Sequence, residues 1–332
     1  MIRRLLLLIP VIVGVSILTF VITRAAGDPV TPYLQNPEKA TEQQILKIKE
    51  KYHLNEPNYI QYVYWLKGVV GGDLGFSRTA NLKVTDAITS KFAATFELAI
   101  LAMVFAVTMG ITVGTRAAVK ANSAFDQGAR VTSLVGVSIP VFWLGLILLY
   151  VFYARLGWLP APIRIDNEFI TAPQPTHFLL IDSALYLNGD MFWSALRHLI
   201  LPAVTLAFAQ TAIIIRMMRS SMLEVLGAEY VKAARSKGLP EKVVIKKHAR
   251  RNALIPTTTV VGLSFGGLLG GAVLTETIFN WPGLGAWSAQ AALNLDTAGI
   301  MGFTLLTATI YVLANLVVDI LYAYLDPRVR LG

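Results

Sequence analysis

The residue types that most often carry catalysis or bind metals are sparse in this chain. It has no cysteine, which excludes disulfides, cysteine-ligated zinc, iron–sulfur clusters and a cysteine nucleophile. Its histidines are far apart and form neither an HExxH nor an HxxxH pair, and the sequence has no GxxxxGKS or GxxxxGKT loop. We therefore expect a protein that is not an enzyme and that binds no metal or cofactor itself. The four histidines are His53, His177, His198 and His248.

A few polar residues lie within or beside long apolar runs, where a polar side chain needs a partner. Glu97 precedes the run that begins at Leu98, and Glu276 follows the run that ends at Thr275. Charges inside a membrane are costly and often functional, so both could line a transport pathway. Each could instead pack against a neighbouring helix, and Glu97 could extend towards water. Gln210 needs a hydrogen-bond partner, which is either a solute or a neighbouring helix.

The strongest local signal is a basic segment at residues 216–252, which contains ten lysines and arginines. Ser221 and Glu224 have the spacing of a capping box, which predicts that a helix begins there. Gly238 suits the left-handed residue that ends a helix, and Pro240 can begin the next one. We therefore expect two short helices joined by a tight turn. Apolar positions at helical spacing support the first helix, namely Leu223, Leu226, Tyr230, Val231 and Ala234.

The elements that must position these residues are membrane helices. The chain is 55% hydrophobic and 15% charged, whereas soluble domains have roughly 25% charged residues. A membrane-spanning helix needs about 20 mostly apolar residues. Six runs without Asp, Glu, Lys or Arg are close to this length, which predicts an all-α, multi-pass membrane protein with six transmembrane helices. The runs are Leu5–Thr23, Leu98–Thr115, Val131–Ala154, His198–Ile215, Asn252–Thr275 and Thr297–Val318.

The distribution of basic residues predicts how these spans are oriented. Six spans place both termini and the loops 116–130 and 216–252 on one side, with 17 basic and 5 acidic residues. The other side, at 27–92, 154–197 and 276–299, has 11 basic and 13 acidic residues. Because basic loops stay in the cytoplasm, we expect both termini to be cytoplasmic. The net charge of +9 is then a topology signal, and we expect no nucleic-acid partner.

The segment between the first two spans, residues 27–92, is predicted to be an extracytoplasmic insert. Thr41 and Gln44 fit a capping box, which predicts a helix. Four aromatic residues within positions 59–66 predict a second helix at the membrane interface. The insert is either a small cap over the span ends or a docking surface for an outside partner. The other predicted units are the first helix at 1–26, the core at 93–325 and a cytoplasmic tail at 326–332.

Residues 229–239 have the sequence EYVKAARSKGL, which resembles the EAA loop of ABC importer permeases. More narrowly, the chain resembles the B-type subunit of the dipeptide, oligopeptide and nickel permease family. Ala233, Ala234 and Gly238 match the general pattern E-A-A-x3-G, whereas Lys232 stands in place of its glutamate. Further motifs extend the resemblance over nearly the whole chain: QY at 61–62, DLG at 73–75, HLILP at 198–202, RMMRSSMLE at 216–224 and ETIFNWPGLG at 276–285.

The resemblance implies the transmembrane domain of a type I ABC importer, embedded in the lipid of the cell membrane and paired with a second, homologous permease. It implies two cytoplasmic ATPases, which use ATP and Mg, and an extracytoplasmic solute-binding protein. The implied solute is a di- or oligopeptide, with an oligosaccharide or nickel as alternatives; a stand-alone channel or secondary transporter is a further alternative. The implied residues of the ATPase-coupling loop are Glu229, Ala233, Ala234, Arg235, Lys237, Gly238 and Leu239.

Overall fold

The computed structural model describes residues 2–26, 30, 33–34 and 39–325, and this part of the chain is mostly helical. The predicted tail at 326–332 lies outside the described residues. The first elements are α1 (Ile2–Ala26), α2 (Glu42–Lys51), α3 (Asn58–Val70), β1 (Phe76–Ser77) and β2 (Leu82–Lys83). The helices that follow are α4 (Val84–Val119), α5 (Ala124–Ser138), α6 (Val141–Leu148), α7 (Leu179–Leu185), α8 (Gly189–Leu226), α9 (Glu229–Ser236), α10 (Glu241–Val243), α11 (Arg250–Leu269), α12 (Val273–Ile278), α13 (Leu284–Leu293) and α14 (Thr297–Leu325).

Four helices in the described part of the chain are long and apolar enough to cross a membrane. They are α4, α8, α14 and the continuous helix Glu241–Leu269 formed by α10 and α11. A fifth span results if the bent pair α5 and α6 is counted as one. In α1, a shorter apolar helix runs over Pro10–Ala25. The fold is therefore that of a multi-pass α-helical membrane protein, and the number of six spans stays a prediction.

The segment predicted as one span at residues 131–154 is broken near its start. A proline lacks the backbone N–H and disfavours helical backbone at the residue before it. Accordingly, α5 ends at Ser138, Ile139 is extended with ψ 125°, and the chain restarts as α6 after Pro140. The two helices meet at 100°. After Leu148 the helix widens into a π-helical segment, Leu149–Arg155.

Small residues bring the long helices close together, as is usual in membrane helix packing. In α4, a Cβ atom on Gly110 would lie 2.5 Å from the Ile214 side chain of α8. In α11, a Cβ atom on Gly262 would overlap the Val318 side chain of α14. The core around α4 and α8 is correspondingly rich in small and aliphatic side chains, including Ala94, Leu98, Ala102, Ala106, Leu199, Ala203, Ala207 and Ile214.

The insert packs on one end of the bundle. Both hydrogen bonds of the predicted capping box between Thr41 and Gln44 are present at the start of α2. The predicted aromatic helix is α3, and its Trp65 packs with Phe20 of α1 and with Met301 of α14. Residues 84–92, which the sequence analysis assigned to the insert, continue into the long helix α4. The placement of the insert outside the cell remains a prediction.

Buried hydrogen bonds join the β1–β2 hairpin to the start of α14. The Ser77 hydroxyl donates to the Asp296 carboxylate at 2.6 Å, and the Thr79 N–H donates to the same oxygen at 3.0 Å. The other Asp296 oxygen accepts the Gly299 N–H at 3.1 Å. Trp287 donates its indole N–H to Ser77 at 3.1 Å. Because Ser77 and Asp296 are buried, these bonds hold the insert in a fixed position on the bundle.

Candidate functional site

The first helix predicted for the basic segment does not begin at Ser221, so the predicted capping box is wrong. Ser221 lies inside α8, which continues to Leu226 and ends at Gly227. Met218 and Met222 of this last stretch are fully buried in a cluster with Ala249 of the following helix. Because these apolar side chains are buried at helical spacing, α8 continues through Ser221 and Glu224, although the same pattern would begin a helix in an isolated segment.

The first short helix of the segment is α9, and it divides the two alanines between its faces. Val231 and Ala234 are buried and pack with Val244 and Val225. Ala233 points the other way and is exposed. The resemblance implies both alanines for the ATPase-coupling loop, and in this structure Ala234 contacts residues of its own chain. Ala233 alone of the pair is open to another protein in the described structure.

Gly238 makes the turn after α9, as the sequence predicted. Its φ is +74°, in the left-handed region that glycine adopts without steric cost. Its N–H donates to the Arg235 carbonyl at 2.9 Å, which closes the last turn of α9. Pro240 then caps α10. The second helix is not short, however, because α10 continues through a π-helical segment, Val244–Ala249, directly into α11. The turn therefore connects α9 rigidly to a membrane helix.

Two exposed ion pairs lie in this segment, one across the turn and one at the start of α9. Arg235 donates to both carboxylate oxygens of Glu241, at 2.7 and 3.1 Å, and this pairing raises the pKa of Arg235. Lys232 pairs with Glu229 at 2.8 Å along α9. Exposed pairs of this kind contribute little to stability. A surface that combines apolar and basic side chains remains open, and we call it the coupling surface: Tyr230, Ala233, Lys237, Leu239 and Val243.

Glu276 is held entirely by its own chain at the opposite end of the bundle. Its carboxylate is fully buried and accepts the Thr95 hydroxyl at 2.8 Å and the Ala286 N–H at 2.9 Å. A Cβ atom on Gly283 would lie 2.5 Å from the carboxylate, so the turn after α12 has no room for a side chain there. These contacts favour the helix-packing alternative for Glu276 over the pathway alternative.

Glu97 is also buried and pairs with a residue that the sequence analysis did not single out. One carboxylate oxygen accepts Nη2 of Arg164 at 2.7 Å, and the other accepts the N–H of Leu180 at 2.9 Å. No local pattern connects Arg164, which lies in a loop before α7, with a glutamate on α4.

The third polar residue, Gln210, differs from the two glutamates, because its Oε1 is buried without a hydrogen-bond partner among the described residues. The basic segment, the Glu97 and Glu276 carboxylates and Gln210 therefore do not come together in one site.

No group of three or more histidine, cysteine, aspartate or glutamate side chains in the described part of the chain could hold a metal ion. The geometry thus has an exposed corner of two helices at one end of a membrane bundle and two buried, hydrogen-bonded carboxylates at the other. This arrangement defines the class of the protein as a multi-pass membrane protein with an exposed basic loop.

Comparison with known proteins then gives its family. Residues 106–331 match the family described as binding-protein-dependent transport system inner membrane component. The dipeptide transport system permease protein DppB of Alkalihalophilus pseudofirmus is 46% identical over 99% of this chain and 98% of its own length. The di/tripeptide transport system permease protein DppB of Pseudomonas aeruginosa is 45% identical over 99% and 97%. The oligopeptide transport system permease protein AppB of Bacillus subtilis is 39% identical over 99% and 98%. The chain belongs to the family of binding-protein-dependent transport system inner membrane components.

Proposed function

We propose that this chain is the permease subunit of an ATP-driven importer and forms half of a membrane pathway for dipeptides and oligopeptides. The relatives at 46%, 45% and 39% identity are named as permeases for dipeptides, di/tripeptides and oligopeptides, and each aligns over almost its whole length. The sequence has no phosphate-binding loop of its own. The energy therefore comes from two partner ATPases that bind ATP and Mg.

The other partners and the orientation belong to the same proposal. A second, homologous permease pairs with this chain in the cell membrane, and a solute-binding protein delivers the peptide from outside. The basic loop 216–252 and both termini lie in the cytoplasm, which the excess of lysine and arginine supports. The insert packed on α1 and α14 then faces the binding protein.

The coupling surface is the observation that carries the proposal. Buried contacts from Val231 and Ala234 to Val244 fix α9 against the start of the long helix α10–α11. A force applied to the exposed side of α9 is therefore transmitted to a membrane helix as a rigid-body movement. Ala233, Leu239 and Val243 are exposed apolar side chains on either side of the turn, which a cleft on an ATPase can enclose.

Replacing Ala233 with tryptophan tests this role. The new side chain projects from the coupling surface, so the chain folds normally while the ATPase meets a bulky obstruction. Overpacking an interface costs about 1–3 kcal/mol, so we expect the affinity of the permease for the ATPases to fall about 5- to 150-fold and their recovery with the purified permease to fall with it. ATP-driven uptake of alanyl-alanine into proteoliposomes should fall with it.

Ala124→Trp is the matched control, because Ala124 is also an exposed alanine in the loops assigned to the cytoplasmic side. This variant should retain both ATPase binding and uptake. Normal ATPase recovery and uptake with Ala233→Trp would contradict the coupling role. Uptake of nickel or an oligosaccharide in place of alanyl-alanine would leave the coupling role intact and contradict the peptide assignment.

A further inference from the structure

A cavity of about 380 Å³ lies between the loop that precedes α7 and the turn that joins α12 to α13. Its size is within the roughly 300–1,000 Å³ that is usual for small-molecule sites. Aliphatic side chains form part of its wall, among them Leu179, which is buried, and Ile170, which is exposed at the rim. Arg164 is the charged residue of the lining. Such a site, mostly apolar with a few polar groups, is suited to orienting a small organic molecule.

Arg164 is held rigidly before any ligand arrives. Its Nη2 donates to Glu97 at 2.7 Å and to the His177 carbonyl at 2.8 Å, and the guanidinium lies 5.8 Å from the centre of the Trp281 ring. Its Nη1 makes no hydrogen bond to the described residues. Its Nε is buried, so Nη1 is the donor that Arg164 can offer to a ligand, and a guanidinium that is already fixed loses little entropy on binding.

The charged groups around Arg164 differ in whether they already have a partner. Glu97 faces it directly, while Lys91 of α4 lies within electrostatic range of it and is half-buried. Within the described part of the chain, the Lys91 ammonium has no ion pair or hydrogen bond. The acidic groups in this region, Glu97, Asp182 and Glu276, each accept hydrogen bonds from this chain. The Lys91 ammonium and Nη1 of Arg164 are therefore cationic donors that remain without a partner among the described residues.

Three amide side chains complete the lining, from Asn167, Gln174 and Asn280. None of these side chains makes a hydrogen bond to the described residues. An amide side chain both donates and accepts hydrogen bonds, which is the pattern that a peptide bond requires. The aliphatic wall beside them suits an apolar side chain.

We propose that this cavity is a subsite for a short peptide with a free C-terminal carboxylate, which Arg164 binds while the amides bind the peptide backbone. This inference rests on the proposed function, because it places a contact for the transported peptide on the permease itself. The subsite lies in the loops assigned to the extracytoplasmic side. It gives the permease a preference for the C-terminus that is independent of the solute-binding protein.

The test uses the intact importer complex in lipid nanodiscs, without its solute-binding protein and without nucleotide. The probes are alanyl-alanine and its C-terminal amide, and binding is measured by saturation-transfer NMR, which detects weak ligands. Ile170→Trp fills the cavity from its rim, and Ile181→Trp is the matched control at an exposed isoleucine outside the lining. Arg164→Ala alone would leave the Glu97 carboxylate buried without its partner. The guanidinium charge is therefore removed in a double variant, Glu97→Gln with Arg164→Gln, in which both side chains are neutral.

We expect the wild-type complex and Ile181→Trp to bind alanyl-alanine, with a signal at least about fivefold that of the amide, corresponding to about 1 kcal/mol. Ile170→Trp should lose the signal, and the double variant should bind acid and amide equally. Equal binding of acid and amide by the wild type, or an unchanged signal with Ile170→Trp, would overturn the inference. If wild-type uptake of alanyl-alanine is then normal, only the subsite fails; if uptake is absent, the proposed function fails.

Discussion

The turn at Gly238 makes a quantitative prediction about coupling. A Cβ atom there would meet no other atom within 4 Å, so Gly238→Ala adds backbone strain and no clash. The strain arises because φ is +74°, and an L-residue in the left-handed region costs about 1–2 kcal/mol. The equilibrium constant between the native turn and a relaxed geometry then falls by a factor of about 5–30. The apparent affinity for the ATPases then falls by up to the same factor.

The assay is titration of the reconstituted permease with its ATPases, together with ATP-driven uptake. Gly157→Ala is the control, because Gly157 has φ +63° and equally open surroundings, but lies at the start of the loop on the other side. Both variants should lose the same thermal stability, and only Gly238→Ala should lose ATPase affinity. Gly238→Asn should recover part of it, since asparagine tolerates this conformation. Wild-type affinity and uptake with Gly238→Ala would refute the argument that this turn geometry is needed for coupling.

Two further predictions concern packing. Gly262→Ala should destabilise the protein by about 1–3 kcal/mol, because the new Cβ atom overlaps the Val318 side chain of α14. Gly267→Ala, which adds a Cβ atom in open space on the same helix, should be neutral or stabilising. Equal shifts in the midpoint of thermal unfolding for the two variants would contradict this packing. Asp126→Ala should lower the free energy of unfolding by about 1.5–3 kcal/mol, because the buried Asp126 carboxylate of α5 accepts two hydrogen bonds from Arg219 of α8. An unchanged midpoint of thermal unfolding would contradict this role of the ion pair.

Local patterns predicted those features that depend on a few adjacent residues. The capping box at Thr41 is present because its two hydrogen bonds lie within one helical turn. Gly238 takes the left-handed turn because glycine adopts this conformation without strain and Pro240, two residues later, prevents the helix from continuing. The apolar runs placed the long helices for the same reason, since hydrophobicity over about 20 residues is itself a local property.

Features that depend on contacts between distant segments were not predictable in this way. The Ser221 pattern looks like a helix start, but the buried Met218 and Met222 carry α8 through it. The opposite orientations of Ala233 and Ala234 follow from the packing of Val231 and Ala234 against Val244. The pairing of Glu97 with Arg164 joins residues far apart in the sequence, and no periodicity encodes it.

The most direct test of the account is to purify the chain from its native membrane in mild detergent and identify by mass spectrometry what is recovered with it. We predict a second permease of the same family together with ATPases that carry phosphate-binding loops, and uptake of alanyl-alanine by the reconstituted complex only with ATP. Recovery of this chain alone, in a preparation that transports solute without ATP, would contradict the central claim and establish a stand-alone channel or secondary transporter.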